Sequence, residues 1–190
     1  MIALLERVLR LKRLPRTGWL LAGISLPESV ADHSFSTALL ASVLAEQVNA
    51  EQVSAAAEAD APVRLDVGRV VRMALVHDLA ESMITDLPKE ATSYIGAGRK
   101  HIAERDAMVA MLKDVPGGEQ MMVLWKEYAA SETAEAKLVR DADKLEMVLQ
   151  ARHYASAGNT NLADFWTGHD WSYAISRDLY QSLNQERLES

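Results

Sequence analysis

The chain has 190 residues, 20 basic against 27 acidic side chains, and no cysteine. That length supports one domain with a sizeable core. The net charge of −7 argues against broad binding to a nucleic acid polymer, which relies on Lys and Arg at phosphates. The lack of cysteine removes disulfide frameworks, thiol catalysis and Cys-based zinc sites. No apolar run approaches the roughly 18 residues of a membrane span. The N-terminal stretch, with Glu6 and four basic residues ahead of Pro15, lacks the apolar core of a signal peptide. A cytoplasmic location is the default expectation.

Helical periodicity dominates, and no stretch alternates with period two. Residues 2–13 place Leu5, Val8, Leu9 and Lys12 at helical spacing, and Pro15 stops that helix. Residues 14–28, with Pro15, Gly18, Gly23 and Pro27, read as an irregular connection. Ser29-Val30-Ala31-Asp32 has the spacing of a capping box, so a helix is expected from there to about Val48. Residues 50–63, rich in Ala and Glu, read as an insertion: a helix extension or a mobile loop. Another helix is expected from Asp66 to about Leu79, with Val67, Val70, Val71, Ala74 and Asp78 on one face. Residues 82–97, with Pro88 and Gly96, read as a loop. Helices follow at about 98–114, 118–130, 132–155 and 171–188, punctuated by Gly117-Gly118, Gly158 and Gly168. The expected fold is a single all-α bundle of about six to eight helices, spanning 1–190, with 171–190 as its C-terminal helix.

Several polar residues fall on faces that should look inward. Asp78 follows Ala74 by four and Val71 by seven residues. Asp is almost never fully buried unless paired, so it needs a cation, a strong donor or a metal. His33 falls at the fourth residue of its helix and shares a face with Thr37, Leu40 and Leu44. Asp143 borders the apolar stripe of Leu138, Ala142, Leu145 and Leu149, beside Val139 and Glu146. Asp141 lies between Lys137 and Lys144 and reads as a solvated salt-bridge residue. Residues two apart on a helix point about 200° apart, so Asp141 and Asp143 cannot serve one site. His101, His153 and His169 have no acidic partner at ligand spacing and read as structural, and Trp125, Trp166 and Trp171 as core or interface. With the adjacent His77, two imidazoles and two carboxylates from three helices converge, a donor set suited to a divalent transition metal.

The order His, His-Asp, Asp resembles the HD-domain metal-dependent phosphohydrolases. The flanking blocks resemble the 5′-deoxynucleotidase branch: Pro27-Glu28-Ser29-Val30-Ala31-Asp32-His33, Val76-His77-Asp78-Leu79-Ala80-Glu81 with Thr85-Asp86-Leu87-Pro88, and Ala142-Asp143-Lys144-Leu145-Glu146. Leu11-Lys12-Arg13-Leu14-Pro15-Arg16-Thr17-Gly18-Trp19 also looks like that branch. The resemblance implies His33, His77, Asp78 and Asp143 as ligands of one divalent metal, which Mn, Co, Ni, Fe, Zn or Mg would satisfy. It implies Glu81 and Asp86 as the acids that handle protons at the attacking water and the leaving group. It also implies Trp19 beside the nucleotide and a homodimer. Where some members carry a basic residue before that Trp, this chain has Gly18, so Arg16 is the expected phosphate contact. Lys89 and Arg13 are further candidate cations.

The expected activity is removal of the 5′-phosphate from deoxynucleoside monophosphates. Two alternatives keep the pocket: hydrolysis of cyclic nucleotides or nucleoside polyphosphates, and a non-catalytic nucleotide sensor. The C-terminal Trp171, Tyr173 and Tyr180 are candidates for an interface.

Overall fold

The first helix, α1 (Ile2–Leu11), ends before Pro15, and the chain then enters α2 (Thr17–Leu21). The computed structural model describes residues 1–55 and 64–189, and among these it contains ten α-helices, one 3-10 turn and no strand. An isolated antiparallel bridge pairs Pro15 with Ser29. Around it the Arg16 amide donates to the Glu28 carbonyl at 3.0 Å and the Val30 amide to the Leu14 carbonyl at 2.8 Å. The connection expected to be irregular is therefore pinned to the start of the next helix, and it carries a helical turn of its own.

That next helix, α3 (Val30–Ala55), begins as the sequence predicts. The Ser29 hydroxyl accepts from the Asp32 amide at 3.1 Å, and Asp32 Oδ2 accepts from the Ser29 amide at 2.9 Å. This is the reciprocal bonding of a capping box. The helix runs past Val48, so the first part of the expected insertion extends it; residues 56–63 lie outside the described residues. Asp66 caps α4 (Val67–Val76) by accepting from the Arg69 amide at 2.9 Å. This helix is shorter than expected. It stops at Val76 and leaves His77 and Asp78 in the turn before α5 (Glu81–Ile84).

The stretch read as one loop over 82–97 instead holds the end of α5 and all of α6 (Lys89–Ile95). Then come α7 (Ala97–Leu112), α8 (Gly118–Ala130) and α9 (Ala134–Ser156), the last capped by Thr133. A 3-10 turn (Ala163–Trp166) precedes α10 (Ala174–Glu189). Two of the ten helices, α2 and α5, are single turns of five and four residues.

The core lies where α3, α4 and α9 meet. Leu44 and Ala41 from α3, Val70 and Met73 from α4, and Leu138 and Leu145 from α9 are all at most 1% exposed. A fully buried Leu, Val or Met side chain contributes about 1.5–3 kcal/mol. Trp125 and Trp166 are buried as expected. Tyr173 and Tyr180 serve intrachain packing: their hydroxyls donate to the carbonyls of Ala134 and Trp166, and Trp171 packs on Tyr180 with ring centres 5.2 Å apart.

Asp141 departs from its solvated reading. It is fully buried, and its carboxylate accepts from the amides of Ser172 and Tyr173 at 2.9 Å each. Lys144 lies 3.8 Å away and donates to the Asp170 carbonyl. The charge that looked like a surface pair on α9 thus anchors the entry to α10. Asp141→Asn is expected to lower folding stability by about 1.5–3 kcal/mol, the contribution of hydrogen bonds to a charged group. Urea unfolding at neutral pH measures this; a change within about 0.5 kcal/mol, the range of ordinary surface substitutions, would contradict the anchor.

Candidate active site

His33 sits in the first turns of α3 and is fully buried. Its Nδ1 lies 2.5 Å from Glu146 Oε2 on α9. A carboxylate accepts, so Nδ1 carries a proton and donates. His77, at the end of α4, is 4% exposed, and its Nδ1 donates to the Ala74 carbonyl at 2.6 Å. Both imidazoles therefore have Nδ1 committed, which turns Nε2 inward as the free ligand atom.

Those two Nε2 atoms are buried and have no hydrogen-bond partner. Asp143 Oδ1 is 3.1 Å from His33 Nε2. Asp78 Oδ2 is 3.1 Å from His77 Nε2 and 3.7 Å from His33 Nε2. One ligand atom from each of His33, His77 and Asp143 falls within a 4.8 Å cluster. An unpaired buried nitrogen costs free energy, and two beside carboxylates fit a shared divalent cation. The turn that ends α4 brings Asp78 beside its neighbour His77.

The charges agree with that fit. Burial pushes the Asp78 carboxyl up, but His77, Arg16 and His33 hold it well below the usual carboxylate range. Burial acts likewise on Asp143, and the nearby His33 and His77 imidazoles again prevail and hold it low. Without a cation, burial and Arg16 push the His33 imidazole down, while Asp143 and Glu146 outweigh them and bring it up to about 10. A proton and a metal thus compete for the same nitrogen.

Arg16 lies against this cluster, its Nη1 donating to Asp78 Oδ2 at 3.2 Å. A cavity of about 1290 Å³ opens over it, with Arg16, His77, Asp78, Glu81, Asp86 and Asp143 in its wall. Glu81 is 4% exposed, and its Oε2 has no partner. Burial, with the charges of Asp78 and Asp86, pushes its carboxyl up to about 10. Asp86 is buried, and its Oδ2 accepts from the Thr17 amide at 2.5 Å.

The other expected substrate contacts divide. Lys89 stands exposed on the cavity wall at the start of α6. Trp19 also borders the cavity, but it is 1% exposed, with its ring stacked on Phe165 at 4.0 Å and its indole N–H donated to Glu28. It therefore shapes the wall, one face already covered. Arg13 is exposed and lies outside the cavity wall. His101 and His169, read as structural, both border the cavity.

Sequence reasoning missed two supporting residues. Glu146 follows Asp143 by three, one helical turn on, so its spacing was a usable signal. Tyr128, which donates to Asp143 Oδ2 at 2.7 Å, comes from α8 and gave none.

The sequence matches the HD-domain family over residues 8–178. The chain belongs to the HD-domain family. It is 35% identical over 193 residues to the human protein named 5′-deoxynucleotidase HDDC2, covering 98% of this chain and 86% of that one. The fission yeast protein named 5′-deoxynucleotidase hdd1 is 32% identical over 197 residues, covering 98% and 89%. Among solved structures, the PH0347 protein of Pyrococcus horikoshii superposes with a TM-score of 0.80 at 38% identity, covering 97% of this chain and 99% of that one. A conserved hypothetical protein of Pyrococcus furiosus gives the same TM-score and the same coverage at 35% identity.

In this HD-domain protein Glu146 fixes the ring that would bind metal. Glu146→Gln is expected to weaken manganese binding about 10–100-fold, the usual effect of losing an outer partner of a ligating His. Competition against a fluorescent chelator checks it, and wild-type affinity would contradict the role.

Proposed function

We propose that the protein is a metal-dependent 5′-nucleotidase that converts deoxynucleoside 5′-monophosphates to deoxynucleosides and inorganic phosphate. The observation that carries this is the pairing of unpartnered His33 and His77 nitrogens with two carboxylates, beside Arg16 and two buried acids in one cavity. The similarity to proteins named 5′-deoxynucleotidases supports the choice of substrate.

His33, His77, Asp78 and Asp143 would hold the cation. A divalent metal in such a site polarises a phosphoryl oxygen and lowers the pKa of bound water. Arg16, whose burial is outweighed by Asp78, Asp143, Asp86 and Glu81, keeps its charge firmly and meets the phosphate dianion. Glu81, whose carboxyl is pushed up by burial and by the charges of Asp78 and Asp86, gives a proton to the leaving 5′-oxygen. Asp86, in the wall of the same cavity, accepts the proton of the attacking water. Lys89 adds a second cation at the mouth, and Trp19 with Phe165 forms the wall beside the nucleoside.

The same reading includes a homodimer. Phe35, Leu39 and Val43 stand at i, i+4 and i+8 on α3 and are each more than half exposed, an apolar stripe suited to a second copy.

Phosphate release from matched deoxyribo- and ribonucleoside 5′-monophosphates, with metals added singly to stripped protein, tests the proposal. Metal-dependent release favouring the deoxy series is expected. Release from neither series would overturn it in favour of the cyclic-nucleotide, polyphosphate or sensor readings. Two variants divide the labour. Asp78→Asn should lose metal and activity together. Glu81→Gln should keep its metal and lose about 10²–10⁴-fold in turnover, the usual contribution of a general acid. Normal metal content in the first, or an unchanged rate in the second, would contradict the assignment.

A further inference from the structure

Asp86 follows a backbone turn that few side chains adopt. Thr85 has φ 68° and ψ 164°. That region belongs essentially to glycine, and a β-branched residue suits it least. Such a conformation persists only where the surroundings impose it.

The imposing contacts come from the first residue of α2. The Thr17 amide donates to Asp86 Oδ2 at 2.5 Å, and the Thr17 hydroxyl donates to the Asp86 carbonyl at 2.9 Å. On the other side, the Thr85 amide donates to the Glu81 carbonyl at 2.8 Å. The strained residue therefore sits between the two acids of the cavity. Thr17 also follows Arg16 directly, so one short segment carries the cation and grips the acid.

We propose that Thr17 is a positioning residue: its amide and hydroxyl clasp Asp86 at the cavity wall against backbone strain held at Thr85. This rests on the reading above in which Asp86 takes part in the hydrolysis. Without the clasp, Thr85 relaxes to a negative φ and carries Asp86 away. With a glycine in place of Thr85, no strain drives that movement.

The variant Thr17→Pro removes both donors at once. Proline suits the first residue of a helix, and Arg16, extended with ψ 110°, already has the backbone a following proline requires. Wild type, T17P, T85G and T17P/T85G are compared, each loaded with manganese. For T17P, kcat on a deoxynucleoside 5′-monophosphate is expected to fall at least about tenfold, since small misplacements of reacting groups cost that much or more. Its KM and metal content stay near wild type. T85G turns over like wild type, and the double variant recovers most of the loss. A purely structural role for Thr17 would not produce rescue by a glycine elsewhere.

Unfolding gives an independent sign. In the wild-type background the lost bonds are partly offset by released strain; in the T85G background nothing offsets them. T17P should therefore destabilise more in the T85G background, and effects of proline on the unfolded chain cancel in the cycle. Full activity of T17P, a double variant no better than T17P, or additive effects on stability would each overturn the clasp. If the metal-loaded wild type hydrolyses no nucleotide, the functional reading falls, and the unfolding cycle alone decides the clasp by whether that sign appears.

Discussion

Two imidazole nitrogens sealed in the core without a hydrogen-bond partner are the constraint around which this fold is arranged. A buried polar atom left unpaired costs free energy, and here two stand within a few ångströms of two carboxylates. A hydrophobic bundle gains nothing from such a cluster unless a cation joins it. The helices that make the core also make the site: α3 carries His33, α4 is followed directly by His77, and α9 carries Asp143. Leu145 and Ala142 pack the core from the same turns of α9 that present Asp143 and Glu146 to the site. The packing that stabilises the protein thus sets the geometry of its chemistry.

Around that centre, His33, His77, Asp143 and Arg16 are each held by a hydrogen-bond partner. Glu146 orients His33, the Ala74 carbonyl orients His77, and Tyr128 holds Asp143. The bridge between Pro15 and Ser29 brings Arg16 to Asp78. Side chains fixed in this way lose little further freedom on binding, which is the condition for a preorganised site. The carboxylates of Asp78, Asp143, Asp86 and Glu81 face the guanidinium of Arg16 at the cluster. Burial and that imbalance push the Glu81 carboxyl up, and the imbalance favours a divalent guest.

Sequence patterns made the long helices and the polar convergence legible. The capping box at Ser29, the helix start at Asp66 and the inward placement of His33 and Asp143 follow from local spacing, and the structure bears them out. What escaped was short or distant. Helices α2, α5 and α6 hold too few turns for a 3.6-residue period to show, so their segments read as connections. Asp141 looked solvated because its helical neighbours are lysines; its actual partners are backbone amides 31 and 32 residues away. Asp141 and Asp143 do serve different partners, as their two-residue spacing on one helix requires. Thr85 carries a conformation that its residue type disfavours, so no propensity could announce it.

The proposed site holds one cation between two imidazoles and two carboxylates at this point of the core. Manganese titrated into metal-stripped protein and followed by pulsed electron paramagnetic resonance tests it most directly, because the method detects coordinated imidazole nitrogen without relying on turnover. One tightly held ion per chain is expected, with couplings from two nitrogens. A bound ion with no nitrogen coupling, or no tight site at all, would contradict it.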